Sequence, residues 1–142
     1  MFGIPFRGSG TIGLAIDSDS ESLFVTYESS NRIEVLNAAT MTGVGVATAP
    51  NAEDLAGIVY DHDKDLLYCV DRRTPSLYAY TWDPVLRRLT HVPGSPFQLE
   101  GALAFGIALD EGNDLLYVAN ASQDVTVYST EDWSLVRTIT VG

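Results

Sequence analysis

The sequence predicts an all-β fold assembled from repeated four-stranded units, and three observations carry that prediction. The first is a threefold repeat. "GLAIDSDSESLFVTYESSNRIEVL" from Gly13, "GIVYDHDKDLLYCVDRRTPSLYAY" from Gly57 and "GIALDEGNDLLYVANASQDVTVY" from Gly106 share one order: a glycine, a short apolar run ending in Asp, a polar turn, an aliphatic-aromatic run, a second polar turn and an alternating strand. The second is the strand character of the runs. "RIEVL", "LYAYTW" and "VTVYS" alternate or carry β-branched and aromatic residues, and Asp, Ser, Asn, Gly and Pro break them. The third is the period: Gly13 to Gly57 spans 44 residues and Gly57 to Gly106 spans 49. Several short strands per unit of that length is the mark of β-propeller blades, because a lone four-stranded sheet buries both faces only when neighbours stack on it.

Taken in order, residues 1–12 are a leader, followed by blades at about 13–49, 57–97 and 106–142 within a single domain of 142 residues. In the first blade, strand A is Leu14 to Asp17, strand B Leu23 to Tyr27, strand C Arg32 to Asn37 and strand D Gly43 to Thr48, and the same four recur twice. The B runs "LFVTY", "LLYCV" and "LLYVA" are apolar on consecutive residues, as a strand covered on both faces must be. The five extra residues of the second unit fall after its strand C, in "DPVLRR", where Pro84 favours a turn and the arginines read as a solvated hairpin tip.

Composition narrows the partners. Nineteen acidic against eight basic residues give a formal charge of -11, which repels phosphate backbones and anionic lipid alike, so neither nucleic acid nor membrane is expected to bind. No basic start followed by a long apolar segment opens the chain, and no run approaches the roughly 18 apolar residues of a spanning helix. The expectation is a soluble, cytoplasmic protein. Cys69 is the sole cysteine and lies inside "LLYCV", a buried small hydrophobe with no disulfide partner.

The carboxylate turns "DSDSE" (Asp17 to Glu21), "DHDKD" (Asp61 to Asp65) and "DEGND" (from Asp110) could suggest calcium. They lack the turn glycine and distant bidentate Glu of a helix-flanked calcium loop, and they read as strand A to strand B turns held by side-chain hydrogen bonds. No metal and no cofactor is expected. His62 lies in such a turn and His91 in strand D, both read as solvated; no serine sits in a nucleophile elbow, and no helix follows the G-x-G fragments to cradle phosphate.

"LLYVANASQDVTVYS" resembles the YVTN class of propeller repeats, and "LTHVPGSPFQLEGALAFGIALD" resembles a blade junction of the propeller-type, 6-phosphogluconolactonase-like lactonases. The start "GIPFRGSGTIGLAID" echoes it, with Pro5 and Phe6 in the places of Pro96 and Phe97. The resemblance implies a propeller over the whole chain and, as an activity, lactone hydrolysis, without a catalytic motif to match. Three blades fall short of the roughly four to eight of a closed propeller.

Propeller geometry puts a binding surface where the B–C and D–A loops meet at one mouth of the channel. These loops contribute Glu28, Asn31 and Arg32 from the first unit, Asp71, Arg72 and Arg73 from the second, and Asn120, Gln123 and Asp124 from the third. In a chain so poor in cations, Arg72 and Arg73 could hold a small carboxylate or phosphate ligand; the favoured reading is an exposed pair neutralising acids such as Asp71, and removal of both is expected to leave the fold intact. Three functional readings follow: a non-enzymatic scaffold or module that binds a protein or small ligand, a lactone hydrolase, and a blade module of a larger propeller. Because no unit carries a polar terminal cap, a homodimer is expected, two copies closing a six-bladed ring with the "MFGIPF" leader at the junction.

Overall fold

The computed structural model describes residues 10–142, and the "MFGIPF" leader lies outside the described residues. Among the described residues, thirteen strands form three antiparallel sheets, each built on a four-strand meander of sequence neighbours. The first comprises β1 (Thr11–Asp17), β2 (Ser22–Tyr27), β3 (Arg32–Asn37) and β4 (Thr42–Thr48). The second comprises β5 (Leu55–Asp61), β6 (Leu66–Asp71), β7 (Ser76–Asp83) and β8 (Arg88–His91), with the short β9 (Phe97–Gln98) also pairing to β7. The third comprises β10 (Ala104–Asp110), a single 3-10 turn at Glu111–Asn113, β11 (Leu115–Asn120), β12 (Asp124–Ser129) and β13 (Leu135–Thr140).

The expected strand order holds in every blade, and strand C of the first blade, Arg32 to Asn37, has the expected bounds. Strand A starts earlier than expected, at Thr11 instead of Leu14, because Thr11 still pairs with Tyr27 across an irregularity before Gly13. In the second blade the outermost strand is split: β8 pairs with the far end of β7 and β9 with its near end, Leu77 opposite Phe97. The interruption, Val92 to Pro96, contains two prolines, which donate no hydrogen bond to a ladder.

Strand periodicity of two explains the consecutive apolar runs. Leu67 and Cys69 of β6 point into a cluster with Phe24, Ile33, Val35, Ile58, Tyr60 and Trp82, between the first and second blades. Tyr68 and Val70 point the other way, into a cluster with Leu77, Leu99, Leu116, Val118 and Tyr128 between the second and third. The middle blade is thus covered on both sides. Phe24 sits edge-on to Trp82 at 4.9 Å between ring centres, a favoured aromatic geometry. Burial pushes the Cys69 thiol well above its ordinary pKa, so it stays a packing residue.

The inner strands β1, β5 and β10 carry the repeat glycines, and two of these permit close backbone approach between blades. A Cβ on Gly13 would stand 2.5 Å from the Ala56 carbonyl oxygen, and one on Gly57 would stand 2.7 Å from that of Phe105. No side chain fits at these two positions without moving the neighbouring inner strand.

At the opposite ends of these strands the A–B turns bind blade to blade. Asp17, Asp61 and Asp110 each accept a turn amide, from Asp19 (3.2 Å), Asp63 (3.0 Å) and Asn113 (3.2 Å) respectively, as expected of hairpin chemistry. The Trp82 indole of the second blade also donates to Asp17 at 3.1 Å. The extra residues of the second unit do lengthen the C–D hairpin: Leu36 pairs with Gly43, whereas its counterpart Tyr80 pairs with His91. That hairpin is not wholly solvated, however. Arg87 reaches back to the first blade and donates to Ser22 Oγ at 3.3 Å and to the Ser20 carbonyl at 3.2 Å, so it clamps two blades together.

His62 is exposed as expected and His91 half-buried, and both also reach a neighbouring blade. The His62 amide donates to Glu111 of the third blade at 2.8 Å with its ring Nδ1 3.1 Å from the same carboxylate, and His91 Nε2 lies 3.3 Å from the Thr48 carbonyl of the first. Lys64 adds an ion pair to Asp114 at 2.7 Å. No helix among the described residues is long and apolar enough to cross a membrane.

Candidate functional site

The nine mouth residues come from three B–C loops at one end of the blades, and the structure divides them into fasteners and surface. Asp71, the last residue of β6, is fully buried and acts as a hub. Its carboxylate accepts the backbone amides of Glu53 (2.9 Å) and Asp54 (3.0 Å) from the incoming loop and that of Arg73 (3.1 Å) from its own turn, together with the Thr74 hydroxyl. These donors occupy a carboxylate whose burial would otherwise be costly.

Arg72 is equally committed. Its Nε and Nη2 donate to Asp54 Oδ2 at 2.8 and 2.5 Å, Glu28 of the first blade lies 3.7 Å away, and the guanidinium carbon sits 5.2 Å above the Phe105 ring of the third. One side chain therefore touches all three blades. Asp54 is 2% exposed and also accepts the Ser29 amide at 2.8 Å. Burial pushes its carboxyl up, but the Ser29 amide and the Arg72 guanidinium together outweigh burial and hold it below the usual carboxylate range. The idea that both arginines could be removed without harm to the fold is therefore revised for Arg72, whose loss would strand a buried charge.

Arg73 is different: its side chain is 60% exposed, and its Nε is 3.6 Å from Asp54. Arg32 is exposed, with its amide on Ser30 Oγ at 3.1 Å, and the Asn31 carbonyl accepts the Ala49 amide at 2.8 Å. In the third blade Asn120 stands where Asp71 stands in the second. Its Nδ2 donates to Thr126 Oγ1 at 3.1 Å, and its Oδ1 is buried without a partner. Gln123 takes the turn's left-handed position with φ 68°, and the Asp124 carboxylate accepts the Ser122 hydroxyl at 2.9 Å. Glu28, Arg32 and Arg73 are exposed and Asp124 half-buried, giving charges of both signs around the mouth. Asp54 and Phe105, which fix Arg72, carry no motif signal: Asp54 aligns with Gly10 and Leu103 in the other units, and Phe105 with Ile12 and Ala56.

A further buried acid lies in the first blade. Glu34 on β3 is 4% exposed, and its Oε2 accepts the Tyr27 hydroxyl at 3.1 Å. Burial raises its carboxyl above the ordinary 4.5, with the Tyr27 hydrogen bond pulling the other way, and Tyr27 is pushed up to about 12 by its own burial and by Glu34. A carboxyl whose folded value is raised contributes stability that is full below its unfolded value of 4.5 and is lost as pH rises through the folded one. Glu34→Gln is therefore expected to raise the melting temperature at pH 7 by roughly 2–4 °C, about 1 kcal/mol, with the gain vanishing near pH 4. Thermal melts of both proteins across that range check this, and a gain that persists at pH 4 would contradict it.

No known protein family matches the chain as a sequence profile, and no curated protein matches it in sequence. Solved structures do match. The WD40 repeats of RRP9 superpose with a TM-score of 0.76 at 15% identity over 97% of this chain. The periplasmic gluconolactonase PpgL of Pseudomonas aeruginosa gives 0.77 at 19% identity over 95%, and U3-55K gives 0.76 at 15% over 97%. The chain is a run of three β-propeller blades. It spans 41% of the length of each of the three matched structures. At these identities the likeness shows the fold alone, for the gluconolactonase as for the others.

Proposed function

We propose that the chain is a non-enzymatic propeller module that presents its channel-mouth loops to a protein partner, its ring completed to six blades by a second copy. The observation that carries this reading is the engagement of Asp71, Asp54 and Arg72 with one another and with loop amides, which leaves Glu28, Arg32, Arg73 and Asp124 as a charged, mixed-sign rim. A rim of that kind suits the polar periphery of a protein interface, where charge steers encounter. Arg73, 60% exposed, is the arginine of the pair placed to meet a small anionic ligand. The lactone hydrolase reading rests on the sequence resemblance and on the fold shared with a gluconolactonase. The reading as a blade module of a larger propeller rests on the share of the matched structures that this chain covers.

The test compares rim and hairpin-tip variants. A partner captured by the wild type and by Val85→Ser, but not by Arg73→Glu combined with Asp124→Lys, is the expected result. Capture insensitive to the rim change would refute the reading. Opening of a sugar lactone faster than in buffer, abolished by Arg73→Ala, would put the hydrolase first.

A further inference from the structure

We infer that the open face of the third blade and the open face of the first are the two halves of one joint, and that each is filled by the other in a second copy of this chain. The inference rests on the reading of the chain as a half ring and names the surfaces that close it.

The two internal joints supply the template. In each, the repeat glycine of one blade meets the carbonyl of the residue preceding the next blade's glycine or its structural equivalent: Gly13 lies against Ala56, Gly57 against Phe105. Gly106 holds the same place in the third blade, yet a Cβ built on it meets nothing within 4 Å. Around Gly106, the side chains of Ala108, Tyr117, Ala119 and Val125 help to line an apolar hollow of about 260 Å³. Tyr117 is the counterpart of Phe24 and Tyr68, both fully buried beneath a neighbouring blade, but Tyr117 itself is only half-buried.

The first blade offers what would fill it. Ile12, Leu14 and Ile16 are 40, 63 and 48% exposed on β1, whereas Ile58 and Tyr60, which take the places of Leu14 and Ile16 on β5, are 5 and 6% exposed against the first blade. By repeat position, the carbonyl awaiting Gly106 is that of Ile12, and the side chains awaiting the hollow are Leu14 and Ile16. A surface shaped for either face is therefore present on every copy. Two copies related by a twofold axis along the channel make two identical joints and six blades, inside the roughly four to eight of closed rings; three copies would make nine. The channel mouth, of which one chain holds three loop sets, is then complete.

The wild-type protein in sedimentation equilibrium should show twice its 15.4 kDa. Gly106→Leu meets open space within its own chain, so it should fold with an unchanged circular dichroism spectrum while the dimer dissociation constant rises about tenfold to a hundredfold. Leu14→Glu should do the same from the other half. Mixing the two variants should recover association, because the mixed dimer keeps one joint with both halves intact. A folded wild-type monomer, an open polymer or a polydisperse aggregate would overturn both the joint and the half-ring reading. A dimer indifferent to both substitutions, or one not recovered by mixing, would overturn the joint alone, and the rim reading would still be decided by its own variants.

Discussion

Alanine at Arg72 lowers the stability of the chain by about 3 kcal/mol or more, the cost of leaving a buried carboxylate without its cation. Once the two guanidinium bonds of 2.8 and 2.5 Å are gone, Asp54 keeps the Ser29 amide at 2.8 Å and only the longer 3.6 Å approach of Arg73 Nε. The loss also removes the contact over Phe105 and the approach to Glu28, so all three blades loosen at the mouth. Urea titration should show the midpoint fall sharply for Arg72→Ala and shift by under about 0.5 kcal/mol for Arg73→Ala, whose side chain is 60% exposed. Adding Asp54→Asn to Arg72→Ala should restore part of the loss, because the stranded charge is then absent. An unmoved midpoint for Arg72→Ala would show the fastener to be idle. The folded Asp54 carboxyl lies below its ordinary 3.8, so the pair's contribution is full above that value and disappears as pH falls through the folded one.

Valine at Gly57 is expected to cost at least about 3 kcal/mol, at the upper end of what overpacking does. The atoms it would strike are the Phe105 carbonyl at 2.7 Å and the Ile107 amide nitrogen at 3.0 Å, both backbone, so no rotamer change makes room. Relief requires β5 and β10 to separate, which opens the cluster around Tyr68, Val70, Leu116 and Val118. Thermal unfolding followed by circular dichroism reads the effect, with Gly106→Leu as the matched case lacking that intrachain clash. A melting temperature within two or three degrees of wild type would mean that the inner strands can part freely.

Much of this architecture is legible in the sequence because its determinants repeat. The alternation within "LLYCV" assigns Leu67 and Cys69 to one face and Tyr68 and Val70 to the other, and the structure sends each pair to a different core cluster. The three turn aspartates likewise follow from their recurrence. What escapes the sequence is whatever one unit has alone. Asp54 aligns with Gly10 and Leu103, Arg87 belongs to a hairpin lengthened only in the second blade, and the split of its outer strand into β8 and β9 depends on local prolines. Such contacts join residues at no fixed spacing, 18 positions apart for Asp54 and Arg72 and 65 for Arg87 and Ser22, and neither partner's type announces the other. At the mouth, loop membership is visible in the sequence but commitment is not: Arg72 and Arg73 are adjacent, yet one is bound on several sides and the other faces water.

Strand pairing confined within each blade has a consequence for how the chain acquires order. Even the widest pairing described, Ser76 with Gln98, closes a short loop, whereas the contacts that seal one blade to the next join segments about a full repeat apart. Closing short loops costs little entropy, so hairpins form early and the docking of finished sheets comes after them as the slower event. Nearest-neighbour assembly also makes cooperativity unequal along the chain. The middle sheet is held by both seals and opens only when both fail, while β13, exposed along its whole length, is the strand free to fray first.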